Sequence, residues 1–291
     1  MRNAFVNAML CHSSDESVFF LTGDLGYMAL EEVQSTFKKR FINCGIAEQN
    51  MVSVAAGLAK EGMTAFVYSI APFVYARPFE QIRNDICFSS LPVCLVGNGG
   101  GYGYGHMGPT HHALEDCSAM QALGVKVVVP CFDSDLPALV KHVDAPTYLR
   151  LGYDVSPQDY EPPEWEEWRC VLQGDNGVWV TLGPLTGNAI NVLQAFPENK
   201  RPALWACGAL TPPPESLLLA VAGQSLTVFE EHVAEGGLGM LMTYWLTNQN
   251  ISLEKFTHRW ALRYPSKKFG SQNFHRAECG LDQQAMQQML S

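Results

Sequence analysis

NCGIAEQNMVSVAAGLAK, residues 43–60, places an acid, Glu48, at the mouth of a segment of small and apolar residues. Met51, Val52, Ala55, Ala56 and Ala59 predict a helix buried on most of its sides. A carboxylate near a helix N-terminus is favoured by the helix dipole, and a solvated acid there needs no further role. In a buried helix the same acid is unfavourable unless it has a partner. RFINCG (40–45) ahead of it predicts a short strand ending in a glycine turn. The stretch therefore reads as a strand–turn–helix unit of an α/β fold, with a carboxylate at the strand's end.

The rest of the chain repeats that unit. Helices are expected over 3–11, 76–88, 118–124 and 136–143. Strands are expected within VFFLTGDLG (18–26), TAFVYSI (64–70), LPVCLVGNGGG (91–101), VKVVVPC (125–131) and TYLRLG (147–152). Short apolar strands alternating with helices predict a mainly parallel sheet covered on both faces. DVSPQDYEPPEWEEW breaks the pattern with prolines and acids, and 154–175 is read as a linker. The alternation resumes with GVWVTLGP, LTGNAINVLQAF, RPALWACGAL and SLTVFEEH. The predicted organisation is a first α/β domain over 1–153, the linker, and a second α/β domain over 176–291. In open α/β sheets ligands sit at the carboxyl ends of strands. Cys44 to Glu48, Ser69 to Arg77 and Asn98 to His112 each follow such an end.

Composition narrows the function. The net charge is −10 with no Lys/Arg run, which argues against nucleic-acid binding through a basic face. Charged residues make up 16% of the chain, below the roughly 25% of ordinary globular proteins, as expected if another chain covers much of its surface. The nine cysteines form no CxxC pair and several lie in apolar strands, so a reducing cytoplasm is expected. No apolar run is long enough for a membrane span.

NGGGYGYGHMGPTHHALED (98–116) has five glycines in its first eight residues, which permit positive φ and close backbone approach. No amphipathic helix opens directly on it, so a dinucleotide fingerprint is rejected. Metal is not expected either, because His111 and His112 are adjacent and point apart. A histidine at a strand end suits proton transfer or substrate hydrogen bonding, and a loop with incidental histidines is the bland alternative.

Taken together these segments resemble the transketolase-like thiamine diphosphate enzymes. GIAEQNMVSVAAGLAKEG is similar to the family's GIAEQ segment, FEQIR to its YDQIR, GYGHMGPTHHALED to its GEDGPTHQxxED, and VFEEHVAEGGLG to its second-domain VxEEHxxxGGLG. The resemblance implies a pyrimidine-binding domain followed by a transketolase C-terminal domain. It makes Glu48 the acid that hydrogen-bonds the aminopyrimidine ring of thiamine diphosphate, which answers why a buried acid is tolerated. It makes Phe73 the aromatic packing on that ring, with Ile70 and Arg77 at the same pocket, and His111 the histidine that contacts substrate and assists proton transfer.

The family's GDG and the Asn about 30 residues later, which hold Mg²⁺ and the diphosphate, do not occur in the chain. TGDLG (22–26) is too short and wrongly placed. The resemblance therefore implies an N-terminal partner subunit that carries the diphosphate and Mg²⁺, and pairing of pyrimidine domains into a heterotetramer. Met107 stands where the family usually has an Asp that reads a sugar hydroxyl, Tyr153 where many members have a phosphate-gripping Arg, and Gly99 near another substrate histidine. Arg150 is the candidate substitute for the missing Arg. The implied reaction is transfer of a two-carbon ketol unit from a ketose to an aldehyde, with an unusual or modified sugar as substrate. A decarboxylating relative, similar to 1-deoxyxylulose-5-phosphate synthase or the β chain of a 2-oxo acid dehydrogenase, and a non-catalytic regulatory homologue stay open. In the second domain EGGLG (235–239) opens a helix that suits an anion, or else a tight turn.

Overall fold

The computed structural model describes residues 1–26 and 28–290. Eleven strands fall into two sheets among the described residues. In the first, β1 (Val18–Thr22), β2 (Phe41–Asn43), β3 (Thr64–Ile70), β4 (Val93–Asn98), β5 (Lys126–Val128) and β6 (Thr147–Leu151) run in the order β2-β1-β3-β4-β6-β5. Every pair in it is parallel. In the second, β7 (Trp168–Asp175), β8 (Val178–Leu182), β9 (Pro202–Cys207), β10 (Ser225–Phe229) and β11 (Lys255–Arg259) run β11-β10-β8-β9-β7. Here only the β7–β9 pair is antiparallel. The two-domain α/β expectation holds.

Helices cover both faces because strands buried on both sides need apolar cover on both. On one face of the first sheet lie α1 (Arg2–Leu10), α2 (Glu31–Phe37) and α7 (Leu136–Val140), packed through Phe5, Met9 and Phe37 against Phe20, Phe66 and Val96. On the other lie α3 (Glu48–Lys60), α4 (Ala71–Ala76), α5 (Phe79–Gln81) and α6 (Asp116–Ala122). That core runs without a break from Met51 and Val52 through Cys117 and Met120 to Leu217 and Met242 of the second domain. The second sheet is flanked by α8 (Leu185–Leu193), α9 (Glu215–Val221), α10 (Leu238–Asn248), α11 (Gln272–Glu278) and α12 (Gln283–Gln288).

Three expectations are corrected. The single helix over 76–88 is broken: α4 starts at the end of β3 and stops before Pro78, and Phe79–Gln81 runs into a wider turn over Ile82–Cys87. Proline has no N–H to continue the ladder. The last third of the predicted linker is strand β7, whose Trp168, Arg169 and Val171 are buried under the alternating pattern that the acidic stretch ahead of it masks. The C-terminal segment, for which the sequence predicts no element, supplies β11, α11 and α12. No helix among the described residues is long and apolar enough to cross a membrane.

Candidate active site

The first sheet reverses direction of growth between β1 and β3, and the loops after β2, β3 and β4 meet at that carboxyl end. After β2 the chain turns at Gly45 (φ +69), whose N–H donates to Asn43 Oδ1 at 2.9 Å. Ala47 has no side chain with which to cap α3. Glu48 is the first residue of the helix and is 7% exposed, so its carboxylate lies in the positive end of the helix dipole, screened from water. Its side-chain partner is Arg77, whose Nη1 donates to Glu48 Oε1 at 2.6 Å.

β3 delivers the apolar wall. Ile70, half-buried, ends the strand and precedes α4. Phe73, in the first turn of α4, presents one ring face to the Arg77 guanidinium, 3.8 Å from the ring centroid. His111 meets the same ring edge-on at 5.1 Å. The loop after β4 brings that histidine, and Thr110 Oγ1 lies 2.8 Å from its Nδ1. Glu48, Arg77, Phe73 and His111 thus form one cluster. A carboxylate beside an aromatic face suits a flat ring bearing N–H donors, and the imidazole stands on the aromatic's edge, ready to exchange a proton with whatever lies beside that ring.

Tyr104 is the site residue that motif reading missed. Its hydroxyl accepts from Asn98 Nδ2 at 2.6 Å, and its ring lies 6.1 Å from His111. Burial raises its pKa, with Tyr153 adding to the shift, so Tyr153 approaches the cluster through Tyr104. The only sequence signal was the aromatic pair inside GYGYG. Tyr153 and Met107 are about half-exposed, at 48% and 54%.

The structure changes the reading of two predicted substrate residues. Gly99 has φ +76, and a Cβ there would enter the ring of Tyr104. It makes room for that tyrosine and is itself buried. Arg150 is 4% exposed and fully engaged: its Nε meets Asp116 Oδ2 at 2.7 Å, and its Nη2 donates to the carbonyls of Ala113 and Glu231. It joins the two domains and has no donor free for a phosphate. The remaining glycines follow suit, since a Cβ on Gly100 or Gly101 would meet Arg150 or Glu231. The glycine run accommodates the protein's own side chains.

The second domain's polar motif is internal as well. Glu230 accepts from the N–H groups of Leu238 and Gly239 at 2.7 and 2.9 Å and from His258. Its carboxylate is the anion at the EGGLG helix start. Glu231 holds Tyr102 N–H at 2.6 Å, together with Gln272 and Arg276. The crevice between β8 and β10, the ordinary ligand position of such a sheet, is filled by Arg150 and Gly100 of the first domain. Asp116, Cys117 and His232 bring ligand-type atoms within 4.8 Å of one another, all buried. Asp116 already accepts from Tyr148 and Arg150, and His232 bonds Ser118 N–H and lies 2.7 Å from Val233 O. A guanidinium beside the trio disfavours a metal cation there.

A family model described as transketolase, pyrimidine binding domain, matches residues 1–152. One of the two kinds of subunit of the apulose-4-phosphate transketolase of Phocaeicola vulgatus is 29% identical over 264 residues, covering 86% of this chain and 84% of that protein. The 1-deoxy-D-xylulose-5-phosphate synthase of Clostridium perfringens is 28% identical over 222 residues, covering 72% of this chain and 36% of the synthase. Among solved structures, a split gene transketolase in an inactive beta4 tetramer matches with a TM-score of 0.82 at 25% identity, covering 99% of this chain and 96% of that one.

Proposed function

The chain belongs to the family of the transketolase pyrimidine-binding domain, and from that premise we propose that it is the ring-binding subunit of a split transketolase-like enzyme. The observation that carries the proposal is the buried Glu48 carboxylate at a helix start, flanked by Phe73 with His111 on its edge. These residues fit the aminopyrimidine of thiamine diphosphate: Glu48 would accept its hydrogen bond, Phe73 would take its face, and Ile70 would close the apolar side. Thiamine diphosphate supplies the electron sink for breaking and making a carbon–carbon bond. Glu48 holds the shared proton in place from a fixed helix end. His111, oriented by Thr110, exchanges a proton with a substrate hydroxyl, and Tyr104 and Tyr153 line the approach.

The reaction proposed is transfer of a two-carbon ketol unit from a ketose to an aldehyde. Met107 and Tyr153 supply neither the carboxylate nor the cation that read an ordinary sugar phosphate, which supports a modified sugar as substrate. A partner subunit is proposed to hold the diphosphate and Mg²⁺, in a heterotetramer in the cytoplasm. Exposed apolar groups beside the site support a partner: Ile46, two residues before Glu48, is 82% exposed and Phe88 89%. The similarity to the synthase supports a second reading, decarboxylation of a 2-oxo acid donor on the same site.

The test is affinity purification from the native host followed by native mass spectrometry and a donor screen. A co-purifying chain with thiamine diphosphate and Mg²⁺, and ketose-dependent product, is the expected result. Turnover only with a 2-oxo acid would favour the second reading. A chain that comes alone and takes up no thiamine diphosphate would remove both.

A further inference from the structure

Arg77 occupies the two features that the proposed ring site offers. Its Nη1 lies 2.6 Å from Glu48 Oε1, and its guanidinium carbon stands 3.8 Å from the centroid of Phe73. A guanidinium is planar, cationic and lined with N–H donors. An aminopyrimidine is also planar and also presents N–H donors at its edge. Carboxylate in plane and aromatic on the face would recognise either one. Both cannot hold the same carboxylate oxygen and the same face of Phe73 at once.

Exposure sets the direction of exchange. Arg77 is 44% exposed and Glu48 7%. The guanidinium can leave for water without stranding a buried charge, whereas an unpartnered Glu48 would be a buried anion. Gln49 Nε2 donates to the backbone carbonyl of Arg77 at 3.4 Å, which ties the main chain to α3 and leaves the side chain as the moving part.

We infer that Arg77 is a built-in stand-in for the cofactor ring. It neutralises Glu48 and covers Phe73 until the ring displaces it, and so it sets the affinity of the site. The inference rests on the reading of Glu48 and Phe73 as the ring site. It gives Arg77 the opposite sign from a cofactor-holding residue: the closed fraction lowers the apparent affinity, and removing the side chain raises it.

The experiment measures binding of 4-amino-5-hydroxymethyl-2-methylpyrimidine and of thiamine diphosphate to the full chain by ligand-observed NMR and calorimetry. Wild type is compared with Arg77→Ala, Arg77→Lys and Glu48→Gln, each checked by thermal unfolding. An exposed ion pair and a cation–π contact together predict about tenfold tighter ring binding in Arg77→Ala. Arg77→Lys, which keeps the charge without the planar stack, falls between, and Glu48→Gln loses binding. Unchanged or weaker ring binding in Arg77→Ala, with Glu48→Gln still deficient, overturns the stand-in and leaves the ring site. Binding indifferent to Glu48→Gln, or absent in every variant, removes the ring site and the inference with it.

Discussion

Arg150 Nε and Asp116 Oδ2 meet at 2.7 Å where both side chains are sealed from solvent, at 5% and 0% exposure. Tyr148 donates to the same oxygen at 2.7 Å, and the other arm of Arg150 reaches the Glu231 carbonyl of the second domain. A buried pair is seldom a large net gain, but removing one partner leaves the other charge buried. Arg150→Met should therefore destabilise the chain by about 3–5 kcal/mol, read as a fall in the urea midpoint. Pairing it with Asp116→Asn should recover a large part of that loss. A substrate ligand would behave differently, raising KM at unchanged stability.

Glu48 carries the chemical prediction. Glu48→Gln keeps the size and the helix start but removes the proton acceptor. In the complex with its partner, turnover should fall by about a hundredfold or more, the range for losing a general acid–base group. The circular dichroism and native mass of the complex should stay as in wild type. Wild-type turnover in this variant would sink the catalytic assignment.

His112 makes the seam between the domains sensitive to acid. Its ring is 3% exposed and packs on Tyr102, Tyr264 and His275. Burial holds its pKa below the usual 6.5, the neighbouring His275 pushes the same way, and the Gly105 carbonyl and Glu231 oppose. Unfolded histidine takes up its proton at a pH of about 6.5 while the folded one resists, so the unfolded state binds more protons below that point. The stabilisation is complete above about pH 6.5 and is lost as the pH falls toward the folded value. Melting temperatures from pH 8 to 5 should decline below about 6.5 in wild type, and less steeply in His112→Phe. Equal slopes in the two proteins would exclude His112 as the cause.

The parts of the site legible in the sequence are those fixed locally. Glu48, Phe73 and His111 each lie a short loop beyond the end of a parallel strand, so placing the strands places the residues. Arg150 was misread because its partners are remote: Asp116 is 34 positions away and the Glu231 carbonyl 81. The glycines of 98–105 announced close approach correctly but not to what, since Tyr104 and Glu231 satisfy them from inside the protein. β7 was hidden because acids and prolines just before it dominate the local composition, while its burial depends on pairing with β9.

Substrate choice gives the last prediction. Tyr153 stands at the approach to the cluster, half-exposed and electrostatically coupled to Tyr104. A tyrosine offers one neutral hydroxyl where an arginine offers a charged fork. A hydrogen bond to a charged group contributes about 1.5–3 kcal/mol, so Tyr153→Arg should lower KM for a phosphorylated pentose by about tenfold or more. It should leave KM for the unphosphorylated sugar unchanged. Adding Met107→Asp should improve kcat/KM further only for acceptors with a hydroxyl beside the reacting carbonyl. If wild type already turns over ordinary pentose phosphates as well as the double variant does, the idea of a modified sugar fails, and Tyr153 and Met107 do not set the choice.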